Sequence, residues 1–197
     1  MVIKQKKGAP MLLTESPLSA LEETRQLNRL FLGFLRERPA DAVDRFGLPA
    51  SAAALLANAS RSQVEHAASF PRALFRLHLP PQSADVAMDP LSLARGTQEQ
   101  VLKRVVLNSA RNFSRMSGYS ARLLLRLTDE EVARIRVAEV HELVALSGVD
   151  GVLGTAFVEL GWLWRELLTE DRPEYRRRLL LIGLQPEFLV QPAPRFA

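Results

Sequence analysis

The sequence predicts an all-α protein built from two similar helical repeats, with little or no sheet. Three observations predict it. Apolar residues recur at three-and-four spacing between well-placed prolines and glycines, the period of a helix with one buried face. Aromatic residues make up only 7% of the chain, so the core must be packed mainly by abundant Leu and Ala, both strong helix formers. A segment also occurs twice, shifted by about 79 residues. At that shift Arg25 falls on Arg104, Phe34 on Phe113, Arg36 on Arg115, Ala42 on Ala121, Leu48 on Leu127 and Ala59 on Ala138. Apolar type is kept at Leu27/Val106, Leu56/Ile135 and Val64/Leu143.

Each element has its own local cause. Residues 1–15 read as a flexible basic arm. Ser16 followed by Pro17 is a helix start, a capping hydroxyl and then a proline at the first helical position. The helix runs to about residue 38, with Leu18, Leu21, Leu27, Phe31, Phe34 and Leu35 on one face. Pro39 ends it, and a short helix over 40–46 stops at Gly47. Pro49 opens a helix to Ala57. Ser60 with Gln63 is a capping-box signature for a helix to about Ser69. Residues 74–79 alternate apolar side chains with Arg76 and His78, as a short strand or extended arm does. The first repeat is thus 16–79, and the Pro- and Asp-rich stretch 80–96 reads as a linker. The second repeat, 97–170, opens with a long helix over 97–117 and a shorter one over 119–126. Thr128 with Glu131 is a second capping box, and Asp129, Glu130 and Glu131 put acid at the positive end of a helix dipole. Helices over 129–136 and 139–146 follow, then an apolar helix over 152–169. Residues 171–197 read as a last helix from Pro173 and an extended tail. A repeat of about 80 residues is marginal for an independent core, so the two are expected to pack on each other as an intrachain pseudo-dimer.

Several residue runs of the first repeat carry a resemblance: Leu27-Asn28-Arg29-Leu30-Phe31-Leu32, Ala42-Val43-Asp44-Arg45-Phe46-Gly47-Leu48, Leu55-Leu56, Gln63-Val64, Ala67-Ala68 and Leu74-Phe75-Arg76-Leu77. In order and spacing, without gaps over about residues 20–79, they resemble the flagellar transcriptional regulator FlhD family. The second half is less similar: Arg126-Leu127 stands at the glycine turn, and the Phe-Arg segment is missing. The resemblance implies an all-α subunit that dimerises and acts with an FlhC-like partner as a transcriptional activator in flagellum biogenesis. Family members often carry a cysteine before the aromatic-Arg segment that can link two subunits; here Ala73 stands there.

The candidate functional residues are mainly arginines. On a continuous helix Arg104, Arg111, Arg115, Arg122 and Arg126 share one sector, which a bend at Gly118 would split, and Arg25, Arg29 and Arg36 repeat part of it in helix one. Arginines at helical period can track phosphates, face an acidic protein, or simply lie on a solvated face with their stems over apolar surface. The helix pairs 50–57/61–69 and 129–136/139–146 have the form of a helix-turn-helix or of plain hairpins packing the core. The first offers Arg61 and Gln63 to a nucleic acid; the second offers acids that would repel it. Trp162 and Trp164, with Phe188 and Phe196 in the tail, are candidates for partner docking, and the alternative for the tryptophans is a core helix.

Other functions are set aside by what the chain lacks. It has no cysteine, which excludes disulfides and Cys-based metal sites and fits a reducing cytoplasm. No apolar run reaches the roughly 18 residues of a membrane helix. His66, His78 and His141 stand apart, and there is no Gly-rich phosphate loop, so no catalytic, metal or cofactor site is expected. The net charge of +4 allows an anionic partner without requiring one. The expected function is an FlhD-like, oligomeric transcriptional regulator acting through protein–protein contact and partner-dependent DNA binding. The alternative is a helical assembly protein with no nucleic-acid role. A third reading, a small-molecule sensor, finds no pocket residues in the sequence.

Overall fold

The computed structural model describes residues 17–80, 96–169 and 181. Within them the chain is mostly helical, as predicted. Four helices and a strand come first: α1 (Pro17–Glu37), α2 (Pro39–Asp44), α3 (Ala50–Asn58), α4 (Arg61–Ala68) and β1 (Phe75–Leu77). The same order then recurs as α5 (Gln98–Met116), α6 (Gly118–Leu125), α7 (Asp129–Val137), α8 (Val140–Ser147) and β2 (Leu153–Thr155), and α9 (Gly161–Thr169) follows.

Local chemistry sets the helix starts. The Ser60–Gln63 and Thr128–Glu131 capping boxes both form, each side chain bonding the other residue's backbone N–H. A third box, Thr97 with Gln100, starts α5. The turn after α2 uses Gly47 at φ 70°, in the left-handed region, and Leu48 N–H donates back to the Ala42 carbonyl at 2.8 Å. The turn after α6 repeats this geometry with Arg126 at φ 60° and ψ 32°, and Leu127 N–H reaches back towards the Ala121 carbonyl at 3.5 Å.

The strands join the halves. β1 pairs antiparallel with β2 in the register Phe75 with Thr155, Arg76 with Gly154 and Leu77 with Leu153. Flanking bonds extend the seam: Ala73 N–H donates to Leu124 O at 2.7 Å, Thr155 N–H to Phe46 O at 2.8 Å, and His78 N–H to Val152 O at 2.9 Å. Buried side chains from both halves form one connected apolar cluster. Phe31 sits at its centre, edge-on to Phe46 and Phe75, and Phe70 meets Phe157 across the halves. α1 also packs against α5 and α6.

One buried polar side chain organises the first half. Asn28 is fully buried in α1. Its Nδ2 donates to the carbonyls of Ala68, Phe70 and Arg72, the last at 2.8 Å, and its Oδ1 accepts from Leu74 N–H at 2.8 Å. It therefore satisfies the backbone of the irregular turn between α4 and β1, which would otherwise be buried with unpaired groups. The corresponding residue in the second half is the buried Leu107.

The expected apolar helix over 152–169 is corrected. Residues 153–155 form β2, and only 161–169 are helical. Leu153 and Thr155 point inward on a strand whose partner edge, β1, comes from far back in the sequence. α9 packs on α3 and α4, the opposite half from its sequence neighbours. The basic arm, most of the 80–96 linker, and the last helix and tail (apart from Leu181, which is helical) lie outside the described residues.

We expect Asn28→Leu to cost about 3 kcal/mol of stability in urea unfolding, because several buried backbone groups lose their partner together. A loss under about 1 kcal/mol would show that this turn does not depend on the side chain.

Candidate functional site

The predicted arginine stripe is not one surface. α5 ends at Met116, and Ser117 adopts an extended conformation at φ −152° before its hydroxyl caps α6. Arg122 and Arg126 therefore leave the axis that carries Arg104, Arg111 and Arg115. Most of the set is engaged inside the protein. Arg104 donates to Ser147 Oγ at 3.2 Å and Arg115 to the Arg136 carbonyl at 2.9 Å. Arg111 is half-buried. Asp129 at the start of α7 pairs with Arg122 at 2.7 Å. On α1, Arg25 and Arg29 both converge on Glu65 of α4, Arg29 at 2.6 Å; Arg36 is exposed in the last turn.

The α3–α4 pair is a core hairpin. Val64, His66, Ala67 and Ala68 are buried, Gln63 is held in the capping box, and α9 covers part of the pair. Arg61 and Ser62 remain exposed at the start of α4. The equivalent turn of α8 carries Val140, His141 and Glu142, all exposed, and is unsuited to phosphate. The two tryptophans separate. Trp164 is a core residue, fully buried, with its Nε1–H donating to the Ala156 carbonyl at 3.1 Å, which removes it as a docking residue. Trp162 is 45% exposed and stays available. Phe188 and Phe196 lie outside the described residues.

Two clefts lie on the seam. One, of about 260 Å³, is lined by Arg38, Asp41, Arg45, Glu99, Lys103 and Asp150. Its charges are matched: Arg45 meets Glu99 at 2.6 Å and Asp150 at 3.1 Å, and the buried Lys103 meets Glu99 at 2.7 Å. The other, of about 450 Å³, lies where β1 faces α6 and the start of α7. Its walls include Arg76, Tyr119, Arg122, Leu123, Arg126 and Asp129. Here the charges are not matched. Asp129 pairs with Arg122, and among the described residues no carboxylate pairs with Arg76 or Arg126. Arg126 lies over the Phe157 ring, its guanidinium carbon 4.2 Å from the centroid, an arrangement worth about 0.5–2 kcal/mol. Burial first, then the neighbouring Arg76, pushes its pKa down to about 10, against a partial pull from Glu159 and a further push from Arg72. Its left-handed backbone costs about 1–2 kcal/mol that glycine avoids. Arg72 is fully buried, which lowers its pKa as well.

Sequence reasoning found Arg122 and Arg126 but missed Arg76 and Tyr119 as their neighbours. One signal was available: the shift that aligns the repeats sets Arg126 on Gly47, a costly replacement at a turn that needs positive φ. Among the described residues no group of His, Asp and Glu could hold a metal ion, and no helix is long and apolar enough to cross a membrane.

Among the described residues the fold is a mostly helical module in which one order of four helices and a strand occurs twice, closed by one strand pair with a basic cleft beside it. No family model, curated protein or solved structure matches the chain.

Truncating Arg122 to Ala should cost under about 1 kcal/mol, because both charges of its ion pair are solvated. Trp164→Ala should cost about 3–5 kcal/mol, and urea unfolding of the two variants side by side checks the contrast. His78, beside Gly154, has its pKa held below the usual value of 6.5, first by burial and then by Arg76, with Glu131 opposing. Folded His78 thus gives up its proton more readily than unfolded His78, so its contribution is present above that value and lost as pH falls. The midpoint temperature of the native chain should therefore drop further on acidification to about pH 5 than that of His78→Gln.

Proposed function

We propose that the chain is an FlhD-like transcriptional regulator, two related helical repeats paired as an intrachain pseudo-dimer, acting through protein–protein contact. The observation that carries this is the repeated order of four helices and a strand, together with the pairing of the two equivalent strands. The motif runs that resemble the FlhD family are consecutive in the first repeat, and they occupy structural positions. Asn28 ties the end of α4 to β1, Gly47 makes the positive-φ turn, and Phe75 and Leu77 are buried strand residues.

DNA binding in this proposal depends on a partner such as an FlhC-like subunit. The exposed arginines Arg36 and Arg61 stand on different helices, α1 and α4, and most of the α5 and α6 arginines already hold protein groups. The same observation favours the second reading, an assembly protein that never meets DNA. Trp162, Met116 and Val137 are exposed apolar side chains available to a protein partner under either reading.

Salt dependence separates the readings. The chain purified with its native partner should bind promoter DNA with an affinity that falls steeply as salt rises, and Arg61→Ala should flatten the slope by about one unit. A partner complex that holds in high salt and shows no DNA affinity at low salt would refute the regulator and leave the assembly protein.

A further inference from the structure

The cleft between β1 and α6 carries an inference independent of the regulator proposal. It brings together three guanidiniums, from Arg76, Arg122 and Arg126, and one carboxylate, Asp129. Asp129 answers Arg122 at 2.7 Å, so among the described residues Arg76 and Arg126 line the cleft with no carboxylate in ion-pair contact, Glu159 exerting only a partial pull on Arg126. A phosphate monoester carries close to two negative charges at neutral pH and three acceptor oxygens, and guanidiniums are the side chains best shaped to receive them. The rest of the wall is not polar. Leu123 and the ring of Tyr119, which is 66% exposed, offer an apolar shelf beside the charges. A volume of about 450 Å³ lies in the range of small-ligand pockets, roughly 300–1,000 Å³.

Two further observations separate this cleft from an ordinary charged surface. Arg126 holds a left-handed backbone, φ 60°, where its counterpart in the first repeat is Gly47. Gly47 takes this conformation without cost, whereas Arg126 holds it with its guanidinium over Phe157 at the cleft wall. The twin positions as a group also lack the chemistry: Ala40, Val43, Gly47 and Thr155 stand where the cleft has Tyr119, Arg122, Arg126 and Arg76. Among the described residues the basic set thus lines one of the two equivalent turns and not the other.

We infer that this cleft binds one small phosphorylated organic molecule of about nucleoside-monophosphate size, its phosphate among Arg76, Arg122 and Arg126 and its ring on Tyr119. Because Arg76 comes from the first repeat and the other groups from the second, the bound molecule would bridge the seam and stabilise the pairing of the halves.

Calorimetric titration of the full-length chain with AMP and, separately, with inorganic phosphate tests this at about 50 mM salt, alongside thermal unfolding. The expected result is one AMP per chain, bound more tightly than phosphate, with a rise in unfolding temperature. Arg76→Gln and Arg126→Gly should each weaken AMP binding at least tenfold, with native circular dichroism retained, since glycine suits the Arg126 turn. Tyr119→Ala should bring AMP down to the affinity of phosphate, and Arg165→Gln, exposed on α9, should change nothing. No heat and no thermal shift up to about 10 mM AMP would overturn the inference. So would affinities unchanged in Arg76→Gln and Arg126→Gly, phosphate binding as tight as AMP, or two molecules per chain.

Discussion

The amide of Asn28 is the interaction on which the rest of this structure depends. The chain must leave α4, reverse and enter β1 through a turn too short and too buried to be solvated. A backbone path of that kind is tolerable only where its polar groups find partners. Asn28 supplies them from the neighbouring helix, accepting from Leu74 N–H and donating to three carbonyls. This holds β1 beside α1, which puts Phe75 against Phe31. It also presents the strand edge that β2 completes, and the cleft beside Arg76 exists only because that edge is where it is.

The second half reaches the same element order by another route. Leu107 fills the place of Asn28 with an apolar side chain, and Lys103 on the same helix donates to the Val149 carbonyl at 2.8 Å instead. The two halves thus meet one backbone problem with different polar groups while sharing the apolar positions that set the helix faces. Leu27/Val106, Leu56/Ile135 and Val64/Leu143 are buried in both.

Much of the helical frame was legible because its causes are local. Proline at 39, the Ser60–Gln63 pair and the Thr128–Glu131 pair act within one turn, so their effect can be read without knowing the fold. What was not legible depended on residues far apart in sequence. Leu153 to Thr155 read as the start of an apolar helix, since nothing nearby reveals that Phe75 to Leu77 will lie alongside. The arginine stripe holds only on an unbroken helix; Gly118 signalled a break that could split it, and the extended Ser117 beside it makes that break. Arg76 and Tyr119 meet only because β1 crosses to α6, and a chain read in order keeps them apart. Trp164 and Trp162 differ by two positions, yet one faces the core and the other does not, as expected where a helix packs along a single stripe.

The strand pair has a consequence for how the molecule is made. When the first half has left the ribosome, β1 presents an open edge running from Phe75 to Leu77, and its complement has not yet been synthesised. An edge in that state will accept any matching strand, including one from a neighbouring nascent chain. The same contact that joins the two halves of one chain is therefore also the route by which two chains would exchange halves into an interlocked dimer. The delay between residues 77 and 153 sets how long that exchange competes with closure.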